Sequence, residues 1–116
     1  MNTLENIVYT VNDLNAAKAI QIALLDTEPH TDNIHYVGFN VGGTEIGLTP
    51  VQRDAATSTV AHIRVADLDA TLERARKAGA TVVNEPRQVS PGTRVAAVQG
   101  SEGPVYGLIE HTEATA

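Results

Sequence analysis

The chain has 116 residues, a net charge of −6 and no cysteine, which excludes disulfides, a thiolate nucleophile and a cysteine-based zinc site. No apolar run approaches the ~20 residues that cross a bilayer, and Met1–Glu5 lacks the basic start and apolar stretch of a signal peptide. One compact domain in the cytoplasm is expected, with no membrane partner and no nucleic acid, since phosphate binding needs a basic face.

The elements follow in chain order. Ile7-Val-Tyr-Thr-Val11 is β-branched and aromatic and predicts a strand. Asp13 is placed to accept hydrogen bonds from the first N–H groups of a helix over Leu14–Leu25. That helix is apolar nearly all round, with Asn15, Lys18 and Gln21 as its polar residues. Burial on more than one side is expected, against the sheet and then against a dimer partner or an overlying loop. Thr27 to Asn33, with Pro29, is a loop with room for a short edge strand. Ile34–Val41 and Thr44–Thr49 flank Gly42-Gly43, a two-residue hairpin turn whose glycines supply positive φ. Pro50 to Thr57 is a polar connector.

Thr59–Val65 starts a second run of the same elements. Asp67 caps a helix from Leu68 to about Ala78, with Leu68, Leu72 and Ala75 on one face and charged residues on the other. Gly79 ends it. Thr81–Val83, Thr93–Val98 and Val105–Ile109 predict strands, with Pro86 and Pro91 in the connections. His111 to Ala116 is a polar tail.

The two runs repeat each other. Val11, Asp13, Leu14 and Ala16 recur as Val65, Asp67, Leu68 and Ala70, each 54 positions on. Gly43-Thr-Glu-Ile-Gly-Leu-Thr49 recurs as Gly103-Pro-Val-Tyr-Gly-Leu-Ile109, 60 positions on. A repeat of this period marks a duplicated supersecondary unit.

The run Val60–Val83, with its "V-x-D-L-x-A" and "A-G-A" phrases, and the closing Gly107-Leu-Ile-Glu110 resemble the vicinal oxygen chelate superfamily of glyoxalase I, bleomycin-resistance proteins and extradiol dioxygenases. The resemblance covers nearly the whole chain. It implies an α+β fold of two βαβββ modules, about 1–50 and about 58–112, forming a curved mixed sheet around a cleft, and commonly a homodimer. In the metal-dependent members four cleft positions carry ligands. Counting back from Asp13 and Asp67, two of them fall on Asn6 and Val60. Aligning the Gly-Leu phrases puts the others on Gly47 and Gly107. Valine and glycine offer no side-chain ligand and an amide is a poor one, so neither metal nor other cofactor is expected. A slip of one residue would turn the side chains to the other face. The loop Gly100–Pro104 also lacks the aspartates the family often carries there.

Several residues bear on chemistry. His62 shares a strand face with Val60 and Arg64, and could act as a general base or bind a ligand, or be a satisfied wall residue. Glu45 shares a face with Gly47; it could pair with His62 for acid–base work, join His62 and His35 in a displaced metal site, or be a solvated edge carboxylate, the last being preferred to a metal site because such sites need three or four convergent ligands. Arg64 could clamp an anion, with pairing to Glu45 the preferred alternative. His30, His35, Glu110 and His111 are expected at the surface. Gly47 and Gly107 either open volume for a ligand near the backbone or serve strand curvature. Tyr9, Tyr36, Phe39 and Tyr106 are the chain's aromatics, so any pocket is lined mostly by aliphatic and polar groups. Three functions remain open. The leading one is metal-independent binding of a small organic molecule in the inter-module cleft, with Asn6, Gly47, Val60, Arg64 and Gly107 as ligand-binding positions and drug sequestration as one form. The second is a lyase or isomerase moving a proton with His62 or Glu45. The third is a non-catalytic regulatory or assembly module.

Overall fold

A computed structural model of the chain describes residues 2–52, 56–101 and 103–112; part of the connector after Pro50 and most of the C-terminal tail lie outside these. The chain divides into two compact units, Asn6–Thr59 and Val60–Ala116, the latter joined by Met1–Glu5. Each unit follows the order strand, helix, three strands. The first holds most of β1 (Thr3–Val11), then α1 (Leu14–Leu25), the two-residue β2 (Thr31–Asp32), β3 (Val37–Val41) and β4 (Thr44–Pro50). The second comprises β5 (Ser58–Arg64, whose first two residues belong to the first unit), α2 (Leu68–Lys77), β6 (Thr81–Ser90), β7 (Thr93–Gln99) and β8 (Val105–His111).

Strand order is β2-β3-β4-β1 in the first unit and β5-β8-β7-β6 in the second. In both, the strand before the helix lies parallel to the last strand of the unit, and the other pairings are antiparallel. The aspartates at the strand–helix junctions do the same work twice. Asp13 Oδ1 accepts from Ala16 N–H and Asp67 Oδ1 from Ala70 N–H, both at 3.0 Å. Such caps satisfy donors that a helix start otherwise leaves orphaned, worth about 1 kcal/mol each. The Gly42-Gly43 turn has φ of 58° and 90°, the mirror-image geometry that suits a two-residue hairpin.

Alternation along the strands sends one face to the helix. In the first unit Val37, Phe39 and Leu48 are buried, packed with Tyr9, Leu14, Ala17, Ile22 and Leu25. In the second Val65, Leu68, Leu72, Ala96, Val98 and Leu108 form the core. Each large apolar side chain buried this way contributes roughly 1.5–3 kcal/mol. The other face of each sheet carries no helix of its own unit.

Three expectations are corrected, while helix α1 keeps the second apolar side expected to meet a partner, with no fully buried residue within this chain. One side packs on the core, while Ala16, Ala19, Ile20, Ala23 and Leu24 are exposed, Leu24 by 74%. Strand β3 starts at Val37 rather than Ile34, because Asn33 Oδ1 accepts from the N–H groups of His35 (2.8 Å) and Tyr36 (3.0 Å) and holds them in a turn. Strand β6 continues through Pro86 to Ser90, with register shifts between Val82 and Asn84 and between Asn84 and Arg87. At the end of the strand order the proline takes no donor from a ladder on its free side. Finally, Glu110 is buried, only 5% exposed. Its Oε2 accepts Leu68 N–H at 2.7 Å, and its Oε1 accepts from Arg94 Nε at 3.0 Å and Nη2 at 2.9 Å. A carboxylate at a helix start meets both orphan donors and the positive end of the helix dipole.

Glu110→Ala should therefore destabilise the protein by about 1–3 kcal/mol, the cost of a buried donor left unpaired at Leu68. A lowered urea midpoint at unchanged slope is the expected result.

Candidate functional site

On β4, Glu45, Gly47 and Thr49 alternate with Ile46 and Leu48. Leu48 points to α1 and the core, so the first three face the helix-free side. Their register partners on β1 are Asn6, Val8 and Thr10. On β3, Gly38 is opposite Gly47, and Asn40 is opposite Glu45. This face has a glycine floor two strands wide, and Tyr36 lies on it. A methyl group at Gly47 would stand 2.5 Å from Tyr36 Cε1 and 2.6 Å from its hydroxyl, and one at Gly38 would stand 2.6 Å from Tyr36 Cε2. Only glycine lets the ring come this close.

The ring's seat fixes its hydroxyl. Tyr36 Oη donates to Glu45 Oε2 at 2.5 Å, while His30 Nε2 meets Glu45 Oε1 at 2.7 Å. His30 Nδ1 is in turn 2.7 Å from Thr31 Oγ1. Thr31, His30, Glu45 and Tyr36 thus form one hydrogen-bonded chain around a carboxylate. Burial raises the Tyr36 phenol far above the usual tyrosine range, and the bond and charge of Glu45 push it the same way. The phenol therefore stays neutral and donating across physiological pH. The Glu45 side chain remains 26% exposed. Farther along, at Thr10 and Thr49, is an open cavity of about 440 Å³ lined also by His35, Pro50, Gln52 and Ser58, among others; Glu45 and Tyr36 do not line it. Its walls mix hydroxyl, amide and imidazole groups with a larger share of apolar surface, and the Thr10 and Thr49 hydroxyls are bonded to each other at 3.2 Å.

The second unit plugs its own glycine differently. His62 is the register partner of Gly107, and its ring occupies the place a Gly107 side chain would take, with Nε2 2.8 Å from that position. Burial lowers the His62 pKa, with Glu5 opposing weakly, so the imidazole is neutral at pH 7. Its Nδ1 is shielded and has no partner among the described residues, and the same holds for Asn6 Oδ1 in the first unit. Arg64 lines a shallow pocket of about 220 Å³ with Asn2, Thr3, Val65, Ala66 and His111. His111 bridges Glu5 and Thr93, both at 3.2 Å.

Sequence reasoning named Glu45 and His62 but missed their surroundings. Glu45 is held by Tyr36 and His30, where pairing with Arg64 was preferred. The open volume imagined over Gly47 and Gly107 is filled by Tyr36 and His62. The hairpin itself carried an unused signal: a turn at Gly42-Gly43 places Gly38 opposite Gly47 and announces a flat, side-chain-free patch.

The family's metal positions can be tested against this geometry. A ligating side chain at Gly47 or Gly107 would collide with Tyr36 or His62. Among the described residues no three His, Asp or Glu side chains converge as ligands. The residues present at these positions do not fit a metal ion.

The family model described as Glyoxalase/Bleomycin resistance protein/Dioxygenase superfamily matches residues 3–104. No curated protein sequence matches significantly. Among solved structures, methylmalonyl-CoA epimerase from Mycobacterium tuberculosis is similar with a TM-score of 0.69 at 20% identity, over 94% of this chain and 87% of that one. A hypothetical protein from Bacillus halodurans C-125 reaches 0.75 at 16% identity over 99% and 98% of the two chains. The Mn(II)-bound glyoxalase from Novosphingobium aromaticivorans gives 0.70 at 18% identity, over 97% of this chain and 40% of that one. Identities this low carry the fold alone.

The state of His62 has a thermodynamic consequence. A folded-state pKa below the unfolded value near 6.5 means the unfolded chain binds more protons under mild acid. The stability from a neutral His62 is present above that unfolded value and is lost as pH falls through the folded one. Melting temperature should fall between pH 7.5 and 5, and His62→Gln should flatten that part of the profile. An unchanged acid limb in the variant would contradict the assignment.

Proposed function

Because the chain belongs to the glyoxalase/bleomycin resistance protein/dioxygenase superfamily, we propose that it binds a small organic molecule without a metal, on the helix-free face of its first module. The observation that carries this reading is the open cavity of Thr10, His35 and Thr49, on a face whose strand β4 also presents the partly exposed Glu45 carboxylate fixed by Tyr36 and His30. Preorganised polar groups next to a concave surface of this size are what a ligand site requires. Drug sequestration is one form the function can take. Asn6 and Gly47 belong to this face; Val60, Arg64 and Gly107 belong to the second module and are proposed as further ligand positions there.

A second reading, proton transfer, is favoured by one specific feature. His62 is a neutral imidazole held against Gly107, the protonation state a general base needs. Similar structures include epimerases, and epimerisation moves a proton on carbon. In this reading His62, or in the first module Glu45, moves the proton.

One experiment separates the two. A fragment library, with methylmalonyl-CoA included, is titrated into isotope-labelled protein in deuterated buffer, following amide shifts and deuterium incorporation together. Binding predicts shifts at Gly38, Gly47 and Thr49 that weaken at least tenfold in Glu45→Gln, with no isotope exchange. Proton transfer predicts exchange that His62→Gln abolishes while shifts persist. No saturable shift on the first-module face with any compound would sink the binding function.

A second copy of the chain is the proposed cover for α1. Its exposed residues Ala16, Ala19, Ile20, Ala23 and Leu24 are uncharged and recur at helical spacing, as a helix–helix contact needs. Ile20→Glu should convert a dimer into a monomer by sedimentation; an unchanged mass would remove α1 from the interface and, with it, the case for an assembly role.

A further inference from the structure

The second module has a cavity of its own where two parallel strands part. Strands β5 and β8 run side by side up to Arg64, which lies opposite Ile109, and Val65 N–H still donates to the Ile109 carbonyl at 2.9 Å. There Val65 enters the core and Asp67 caps the start of α2, while β8 continues to His111. The gap left beside His111 is an open cavity of about 220 Å³, bounded by Asn2, Thr3, Arg64, Val65, Ala66 and His111. Ile63 and Val65 pack in the core, and Leu108 and Glu110 are buried with it. Alternation therefore sends Arg64 and His111 to the helix-free side.

The chemistry of this lining is one-sided. It holds a guanidinium, a carboxamide, a hydroxyl and an imidazole, and none of the six residues is acidic. Glu5 is not among them; its Oε2 lies 3.2 Å from His111 Nε2. Thr93 Oγ1 meets the other ring nitrogen at 3.2 Å, so His111 is a fixed wall with both nitrogens engaged. The permanent charge in the lining is that of Arg64. A guanidinium offers a planar fork of donors that matches the two oxygens of a carboxylate, and amide and hydroxyl groups such as those of Asn2 and Thr3 add neutral donors. The volume is smaller than the ~300–1,000 Å³ that encloses a drug-sized ligand. It suits a head group, with the rest of the molecule lying on the face outside.

We infer that the second module binds a small molecule bearing a carboxylate, with the carboxylate on Arg64 in this cavity and the body along the helix-free face toward His62. This deepens the proposed function and rests on Arg64 being a ligand position. Residues two apart on a strand are ~7 Å from each other, so a ligand only a few atoms long reaches from Arg64 to His62. Nothing covalent follows; the acid is bound and released as an anion.

The test compares three probes on one phenylpropyl skeleton: 3-phenylpropionate, 3-phenylpropionamide and 3-phenylpropylammonium. Each is titrated into the full chain at low ionic strength, following the amides of Thr3, Val65 and Ala66, with Gly47 and Thr49 as reporters of the first module. The carboxylate is expected to shift the second-module amides and to bind at least tenfold more tightly than the amide, with the ammonium weakest. Its affinity should fall as salt rises. Arg64→Gln should erase the preference for acid over amide. Arg64→Lys should recover only part of it, because an ammonium keeps the charge and loses the fork. The ranking in the unmodified chain decides even where a variant does not fold. Equal binding of acid and amide at these positions would overturn the carboxylate while leaving a ligand position in the second module. Tighter binding of inorganic phosphate than of the carboxylate would do the same. Shifts confined to Gly47 and Thr49 would remove Arg64 from any site and leave the first-module function standing. Silence of all three probes, in a protein that other fragments do shift at Thr3 and Val65, would also overturn it. Silence of every compound at both sets of amides would remove the proposed function as well.

Discussion

The arrangement of the helix-free faces depends on strand positions that have no side chain. Gly38 and Gly47 meet across β3 and β4, and Gly107 lies beside His62. Each missing Cβ is replaced by a ring from elsewhere in the same unit: Tyr36 over the glycine pair, His62 over Gly107. Glycine in a strand costs backbone entropy and packs nothing of its own. Here the ring that takes its place restores the lost contact area and brings a polar atom to a defined point. The phenol of Tyr36 reaches Glu45 because its ring can lie on the floor; a methyl group at either glycine would lift it.

The two units share a plan and differ in chemistry for that reason. In the first, the plug comes from the turn before β3, and a carboxylate on the neighbouring β4 position captures its hydroxyl. The result is an anionic, hydrogen-bonded patch with one flank open to water. In the second, the plug comes from β5 itself, and burial keeps its imidazole neutral. The residues at the positions of the family's metal ligands explain the difference. At two of the positions matched to the family's ligands this chain has glycine, with Asn6 and Val60 at the other two, and the space over the glycines has gone to rings that hydrogen-bond or pack rather than ligate. Fold and ligand chemistry have separated, as they commonly do on a widely used fold.

Much of the fold was legible because local signals agreed with one another. Asp13 and Asp67 cap helices whose starts at Leu14 and Leu68 they announced, and Gly42-Gly43 made the turn its composition required. The end of α1 at Leu25 was equally plain. What was missed lay in tertiary context. Pro86 reads as a break, yet an edge strand with shifted register absorbs it. Glu110 reads as a surface residue at a strand end, yet alternation puts it on the same side as Leu108, the core side, where Arg94 and the start of α2 receive it. That inference was available from the spacing and was outweighed by the habit of placing charges outside.

The site was legible only in its anchors. Glu45 and His62 stood out because acid–base residues at strand positions beside glycine invite chemistry. Their partners did not, since His30 sits fifteen residues from Glu45 and reaches it through a loop whose path no periodicity describes. Tyr36 could be found by a further step: a two-residue turn fixes the register of its hairpin, the register pairs Gly38 with Gly47, and a paired glycine floor needs a flat group above it. Tyr36, two residues before Gly38, is the aromatic in reach that the core does not take, since Phe39 points the other way into the core beneath α1. Composition says less about this face than its local partners do. A net charge of −6 describes solubility as readily as recognition. The Glu45 carboxylate, bonded to a phenol from the turn before β3 and an imidazole from the loop after α1, becomes specific only through those two tertiary contacts.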